Sequence, residues 1–201
     1  MKTYDQSYFD RWYRQPGASK SSGARLQRSV ALAVAQAEAF LERPIRSVLD
    51  VGCGEGTWRA PLLKMRPKVQ YLGLDGSEYA VRRFGRSRNL RQAHFADLAC
   101  LRPCPPVDLL VCADVLHYVP DAELKAGLPG LAELCGGVAY LESFTSEDVA
   151  GDDIEGDFEG FIGRPKSEYR RLLRRAGFTF IGAHCWLSPA LADDVTALEI
   201  A

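Results

Sequence analysis

The chain has 201 residues, of which 47% are hydrophobic and 25% are charged. This composition is typical of one folded domain and excludes a disordered chain, a collagen and a small disulfide scaffold. The 25 Lys and Arg residues almost balance the 26 Asp and Glu residues, so no global positive field attracts nucleic acid or an anionic membrane. The sequence also lacks a run of about 18 apolar residues, which argues against a membrane-spanning helix.

The N-terminal segment is charged and rich in aromatic residues, unlike the apolar core of a signal peptide. Phe9, Trp12 and Tyr13 have the spacing of one helix face. This pattern fits a lid over a ligand and a helix packed on the body equally well. Residues 15–23 are rich in Gly and Ser, and they predict a loop before a helix over 26–41.

Strands and helices alternate along the rest of the chain. Strands are predicted at 47–51, 69–74, 92–96, 107–113, 138–142, 178–187 and 195–200, and helices at 57–66, 78–86, 121–134 and 167–176. This alternation predicts a doubly wound α/β fold, with helices on both faces of a parallel sheet. We assign 1–43 and 44–201 to one domain, in which 143–164 form an acidic, Gly-rich loop.

The cysteines form no C-x-x-C pair, and several lie within apolar runs. We therefore predict buried thiols in a reducing compartment, which favours a cytoplasmic protein, and we predict no metal site. The six residues are Cys53, Cys100, Cys104, Cys112, Cys135 and Cys185.

The segment 48–56, VLDVGCGEG, predicts a ligand site. A strand carries Asp50 to its carboxyl end, and Gly52, Gly54 and Gly56 then form a tight turn into a helix. Glycine permits positive φ and the close approach of a ligand to bare backbone, and a helix N-terminus offers N–H groups. In open α/β sheets, ligands bind in the crevice at this end of the strands.

Three further acids, Asp75, Asp97 and Asp114, follow the next three predicted strands. Helix capping or turn formation explains any one of them. Four acids at consecutive strand ends, with Asp50 included, instead indicate a shared ligand. A carboxylate at Asp75 is placed to accept both hydroxyls of a ribose.

The pattern of charges and glycines distinguishes between nucleotide ligands. The turn reads G-x-G-x-G, and Thr57 stands where the dinucleotide fingerprint needs its last glycine. The Gly-Lys-Ser/Thr of a P-loop is missing, and Asp50 and Glu55 disfavour a diphosphate. S-adenosylmethionine has a ribose and an adenine but no phosphate, and its sulfonium and ammonium groups suit an acidic crevice. We therefore predict this cofactor rather than a nicotinamide.

Four motifs, VLDVGCGEGTW, YLGLDGSEYAV, HFADLA and VDLLVCADVLHYV, together resemble those of class I S-adenosylmethionine-dependent methyltransferases, over about residues 48–119. The resemblance implies a Rossmann-like sheet of seven mostly parallel strands, with the last strand antiparallel. It implies the following cofactor-binding residues: Asp50, Gly52, Cys53, Gly54 and Gly56 for the methionine portion, Asp75 and Gly76 for the ribose, Asp97 and Leu98 for the adenine, and Ala113, Asp114 and Val115 on the methionine side.

One departure from the family pattern concerns the adenine. Many members place a bulkier apolar residue after the ribose acid, where this chain has Gly76 and Ser77. Tyr79 is the candidate for that wall. Arg11 and Arg14 are candidates for pairing with the methionine carboxylate.

Methyl transfer from a sulfonium needs mainly positioning, but a hydroxyl or ammonium acceptor also needs a base. His117 stands three residues beyond Asp114 and is the predicted catalytic base, with a packing role as the alternative. The acidic loop 143–164 is expected to overhang the methyl acceptor.

We predict a methyltransferase acting on a small-molecule acceptor. A protein or RNA methyltransferase and a non-catalytic cofactor-binding regulatory module are the alternatives.

Overall fold

Seven strands form one sheet in the computed structural model, which describes residues 4–14, 23–150 and 158–194. The strands lie in the order β3-β2-β1-β4-β5-β7-β6. The first five are parallel, and β7 runs antiparallel to both of its neighbours. The predicted Rossmann-like α/β fold is thereby confirmed. The strands are β1 (Ser47–Val51), β2 (Gln70–Asp75), β3 (Leu90–Gln92), β4 (Val107–Ala113), β5 (Cys135–Glu142), β6 (Thr179–Gly182) and β7 (Cys185–Leu187).

Helices cover both faces of this sheet. They are α1 (Gln6–Phe9), α2 (Gly23–Leu41), α3 (Arg59–Met65), α4 (Glu78–Arg88), α5 (Asp121–Glu133), α6 (Ser146–Val149) and α7 (Lys166–Arg175). A π-helical turn, Asp10–Arg14, continues α1, and we call residues 4–14 the N-terminal arm. None of the helices in the described ranges combines the length and the hydropathy that crossing a bilayer requires.

The central strand β4 shows why the sheet is covered on both sides. Leu109 and Val111 belong to the core cluster beneath α2, whereas Leu110 and Cys112 belong to the cluster beneath α5 and α7. All four side chains are fully buried. A near-continuous apolar strand of this kind is typical of a parallel sheet with helices on both faces.

The third predicted strand, 92–96, is wrong over most of its length. The chain leaves the sheet after β3 and forms a 3-10 turn, Phe95–Ala99. A capping box closes this turn, because the carboxylate of Asp97 accepts the N–H of His94 at 2.8 Å. This local hydrogen bond competes with the backbone hydrogen bonds between strands. It therefore ends β3, which lies at the edge of the sheet.

The predicted strand 178–187 is also wrong as a single strand. It is a hairpin of β6 and β7, which reverses at Ala183 and His184. Both residues have positive φ, 45° and 66°, as the central residues of a type I′ turn require. The predicted strand 195–200 lies outside the described residues.

The cysteine prediction is correct for four of the six thiols. Cys53, Cys112, Cys135 and Cys185 are buried, and all six cysteines are free. Cys100 is exposed and Cys104 is half-buried, so the prediction of a buried thiol is wrong for Cys100. These two belong to the segment between the 3-10 turn and β4, outside the regular elements of the core.

Candidate functional site

A large cleft, of about 1550 Å³, opens at the carboxyl ends of the central strands. Pockets for one small ligand usually have volumes of about 300–1,000 Å³, so this cleft has room for two ligands side by side. The structure brings the four predicted acids into its lining, namely Asp50, Asp75, Asp97 and Asp114.

Most of the predicted cofactor-binding residues line the cleft. They are Asp50, Gly52, Cys53, Gly54, Asp75, Gly76, Asp97, Ala113, Asp114 and Val115. Gly56 and Leu98 are not part of this lining. A Cβ atom at Gly56 would meet Leu90 at 3.0 Å, and Leu98 is fully buried in the core. Asp97 lies in the lining but also caps the turn after β3, which is the alternative role foreseen for such acids.

The glycine turn after β1 brings bare backbone to the floor of the cleft. Gly52, Gly54 and Gly56 have positive φ values of 71°, 53° and 73°. A Cβ atom at Gly52 would lie 2.2 Å from the side chain of Val115, and one at Gly54 would lie 2.3 Å from the hydroxyl of Tyr13. Only glycine satisfies both the φ values and this close packing.

Asp75, at the end of β2, ties two loops of the site together. One carboxylate oxygen accepts the N–H of Gly54 at 2.7 Å, and the other accepts the N–H of Ser77 at 2.8 Å. Burial raises the pKa of Asp75, although these two hydrogen bonds oppose the shift. Each oxygen keeps a second lone pair, so the carboxylate retains the capacity to accept ribose hydroxyls.

Asp50 is the most deeply buried of the four acids, with 2% of its surface exposed. The hydroxyl of Tyr71 donates to it at 2.7 Å. Burial is the main cause that raises the pKa of Asp50 to about 7, and the charge of Asp75 adds to it. A cationic ligand nearby would favour the ionised form of Asp50.

The N-terminal arm covers one side of the cleft. The hydroxyl of Ser77 donates to the backbone oxygen of Tyr4 at 2.6 Å. Phe9, 1% exposed, stacks on Tyr79 with ring centroids 5.5 Å apart. The arm therefore both borders the cleft and packs on the body. Tyr79 lies in the lining, and its role as an adenine wall stays a prediction.

An arginine at the end of the arm fastens it to the glycine turn. Arg14 pairs with Glu55 at 2.6 Å, and only 9% of the Glu55 side chain is exposed. Arg88, at the end of α4, donates to the backbone oxygen of Glu55 at 2.5 Å. The partner of Arg14 in this structure is thus a carboxylate of the protein. Arg11 is exposed and lies outside the cleft lining.

A polar cluster at the end of β5 borders the cleft opposite the ribose acid. Arg25, in the first turn of α2, pairs with Glu142 at 2.9 Å, and the hydroxyl of Tyr140 donates to Glu142 at 3.0 Å. Burial raises the pKa of Tyr140, so its hydroxyl stays protonated and donates. Our sequence reasoning missed Glu142 and Arg25. Glu142 is the last residue of β5, as Asp75 is of β2, and that signal was available.

His117 lies beside the cleft rather than in its lining. Only 1% of the residue is exposed, and its ring packs against Tyr118, Phe144 and Phe161 at centroid distances of 4.2, 5.5 and 5.7 Å. Its Nδ1 atom accepts the N–H of Phe144 at 3.3 Å. Its predicted role as a base stays a prediction, and this geometry favours the packing alternative.

The acidic loop is described only in part. Asp148 accepts the N–H of Thr145 at 2.8 Å and caps α6. Three residues of 143–164, namely Phe144, Gly160 and Ile162, line the cleft as an overhanging loop would. Most of the other acidic residues of the loop lie within 151–157, outside the described residues, and so does Ile154.

One buried arginine joins this loop to the rest of the site. Arg164, 2% exposed, donates to the backbone oxygens of Leu116 and Val119 at 3.0 and 2.6 Å. It also pairs with Asp121 at 2.5 Å. The loop after β5 is thereby fixed to the 3-10 turn after β4, Leu116–Tyr118.

Sequence comparisons identify relatives of the central part of the chain. A family described as "Methyltransferase domain" matches residues 49–136. The trans-aconitate 2-methyltransferase of Azoarcus sp. is 32% identical over 75 residues, which cover 37% of this chain and 30% of that protein. The enzyme of the same name from Methylobacterium nodulans is 38% identical over 80 residues, which cover 40% and 31%. The matched segment thus spans less than a third of the length of these curated relatives.

Solved structures resemble the whole described fold. The Streptomyces venezuelae protein DesVI superposes with a TM-score of 0.64 at 18% identity, covering 86% of this chain and 93% of that one. A SAM-dependent methyltransferase from Archaeoglobus fulgidus has a TM-score of 0.62 at 14% identity, covering 86% and 73%. The magnesium protoporphyrin IX methyltransferase of Synechocystis, with bound SAH, has a TM-score of 0.59 at 22% identity, covering 92% and 94%.

Proposed function

We propose that this chain is a class I S-adenosylmethionine-dependent methyltransferase, and that it transfers a methyl group from S-adenosylmethionine to a small molecule bound in the same cleft. The observation that carries the proposal is the shared cleft, which is lined by four carboxylates and by a glycine turn of positive φ. S-adenosylmethionine supplies a methyl group on a sulfonium, and its displacement leaves a neutral thioether.

Bare backbone and negatively charged side chains mark the part of the cleft that would hold the cofactor. The bare backbone of Gly52 and Gly54 gives a ligand close access, and Asp75 has lone pairs for the two ribose hydroxyls. Asp50 and Asp114 add negative charge on the side where the sulfonium and ammonium groups would lie. A diphosphate would meet repulsion from these same groups, which favours S-adenosylmethionine over a dinucleotide.

Two segments of the chain line the part of the cleft that would hold the methyl acceptor, which favours a small molecule. The N-terminal arm contributes Tyr8 and Trp12 to the lining, and the loop after β5 contributes Phe144 and Ile162. The curated relatives are named for trans-aconitate, a small carboxylic acid, which supports the same size class. A polymer would need an open surface beside the glycine turn, and the arm covers that side.

Calorimetry tests the cofactor assignment. We expect S-adenosylhomocysteine to bind with a dissociation constant in the micromolar range or tighter, and we expect no binding of NADH. Binding of NADH together with no response to S-adenosylhomocysteine would refute the assignment.

Label transfer tests the reaction. The protein is incubated with methyl-labelled S-adenosylmethionine and a protein-free metabolite extract, and the labelled product is identified by mass. Label appearing only in added protein or RNA would replace the small-molecule proposal with a macromolecular one. Tight binding without transfer to any added material would indicate a binding module instead.

A further inference from the structure

We propose that Glu142 is the catalytic base of this methyltransferase, and that the methyl acceptor therefore reacts through a hydroxyl or amine that gives up a proton. This inference rests on the proposed function. It assigns a chemical role to the polar cluster at the end of β5, and it leaves His117 a packing role.

The hydrogen bonding of His117 argues against that residue as the base. Because Nδ1 accepts the N–H of Phe144, the neutral ring carries its proton on Nε2. A neutral imidazole has one ring lone pair, and this one is already engaged. The ring is also 1% exposed and outside the cleft lining, so a substrate would reach it only after the loop after β5 moved.

The Glu142 carboxylate has the accessibility that His117 lacks. It lines the cleft, and 18% of its side chain is exposed. Oε1 accepts from Arg25 at 2.9 Å and Oε2 accepts from the hydroxyl of Tyr140 at 3.0 Å. An ionised carboxylate offers about four lone-pair sites, so these two contacts orient the group and leave capacity for a substrate proton.

The backbone of Glu142 places this carboxylate at the methyl end of the cleft. Glu142 pairs with Ala113 in the sheet, and its backbone oxygen accepts the N–H of Asp114 at 2.9 Å. Asp114 has a φ of 59°, so the chain turns sharply at this point and continues to Val115. Residues 113–115 are those that the family resemblance assigns to the methionine side of the cofactor, where the sulfonium methyl would lie.

The proposed step balances without any additional reactant. A lone pair of the acceptor oxygen or nitrogen forms a bond to the methyl carbon, and the carbon–sulfur bond breaks with its electron pair going to sulfur. The proton of the acceptor moves to a Glu142 oxygen and later leaves to water. The products are the methylated acceptor and S-adenosylhomocysteine. Arg25 and the hydroxyl of Tyr140 keep the carboxylate in position throughout.

Variants of the full chain test this assignment. Initial rates are measured with methyl-labelled S-adenosylmethionine and the protein-free metabolite extract, and S-adenosylhomocysteine binding is measured separately. We expect Glu142→Gln to lower turnover about 100-fold or more while the dissociation constant of S-adenosylhomocysteine stays within about threefold of the parent value. Glu142→Asp, which keeps the carboxylate, should recover part of the loss. Glu133→Gln, an exposed site on α5, is the matched control and should keep parental turnover.

Three results would overturn the inference. The first is turnover of Glu142→Gln within about threefold of the parent. The second is an equal loss in Arg25→Gln, which would show that the ion pair matters rather than the proton. The third is loss of turnover in His117→Gln with retention in Glu142→Gln. A parent protein that binds S-adenosylhomocysteine and labels nothing refutes the proposed transfer itself, and the role of Glu142 falls with it.

Discussion

The two best-defined carboxylates of the site serve it in different ways. Asp75 accepts two backbone N–H groups from separate loops, so it shapes the cleft even without a ligand. Asp50 has a single neutral donor, the hydroxyl of Tyr71, and is almost completely buried. An ionised carboxylate that is buried without a cationic partner loses the free energy of its hydration. The binding of a cation next to Asp50 would compensate this loss.

The pH dependence of stability should therefore depend on Asp50. Its pKa in the folded protein is about 7, above the ordinary value of 3.8. Between these two values the folded protein holds a proton that the unfolded chain has released, so the free energy of unfolding falls as pH rises through this window. Asp50→Asn cannot ionise, and its amide oxygen can still accept from Tyr71. We expect the melting temperature of this variant, relative to the parent, to be higher at pH 8 than at pH 5.

Thermal unfolding of both proteins, without ligand, at pH 5 and pH 8 checks this expectation. The comparison uses the difference between variant and parent, because other groups titrate in both. A difference that is the same at the two pH values would show that Asp50 is ionised in the folded protein across this range.

Among the elements, the N-terminal arm is joined to the glycine turn by an ion pair. Phe9 is buried, whereas Arg14, which pairs with Glu55 at the end of the arm, keeps 37% of its side chain exposed. Exposed ion pairs contribute about 0–1 kcal/mol. A contact of this strength holds a short element in place and still permits it to open for ligand exchange.

Loss of this ion pair should speed the release of the ligand. We expect Arg14→Gln to raise the dissociation rate of S-adenosylhomocysteine about two- to fivefold, the factor that roughly 0.5–1 kcal/mol represents. Arg11→Gln, in the same turn but outside the cleft lining, is the control and should leave the rate unchanged. Stopped-flow tryptophan fluorescence measures the rate, because Trp12 and Trp58 both line the cleft. Equal rates in both variants would mean that the arm does not control release.

The elements also show what sequence alone allows one to predict. The turn between β1 and α3 was predictable because its glycines, its acid and its flanking apolar strand are contiguous in the chain. Two elements could not be predicted from the sequence. A local capping hydrogen bond ends β3, and the β6–β7 hairpin turns at non-glycine residues with positive φ. The cluster around Glu142 was missed for another reason. Its position at the end of β5 was a signal that could have been used, but its ion pair with Arg25 joins residues 117 positions apart, and no local pattern signals such a contact.

The formal net charge of the whole molecule is −1, but the acids at the two ends of the sheet differ in their hydrogen-bond and ion-pair partners. At the amino ends of the strands, acids are paired with arginines, as Asp108 is with Arg43 at 2.7 Å. At the carboxyl ends, Glu55 and Glu142 are also paired with arginines, but Asp50 and Asp75 accept from neutral donors instead. The positive charge that would balance these acids is expected to come from the ligand, so the sheet is polarised toward its cleft.

Ligand binding should therefore stabilise the molecule as one unit. The cleft is lined by the arm, by α2 and by the loops after β1, β2, β4 and β5, so the complete binding site exists only while most of the domain is folded. A ligand at 100 times its dissociation constant adds about 2.7 kcal/mol to the free energy of unfolding. For a domain of this size, that raises the melting temperature by about 5–11 °C.

Differential scanning calorimetry with S-adenosylhomocysteine measures this shift. We expect a single transition that moves as a whole, and no movement with NADH. Asp75→Asn, compared at the same ligand concentration, should lose most of the shift because its amide replaces a charged acceptor of the ribose hydroxyls. Asp193→Asn, an exposed acid outside the cleft lining, should keep it. If the ligand instead moved only part of a split transition, the cleft would belong to a region that unfolds separately from the rest of the sheet.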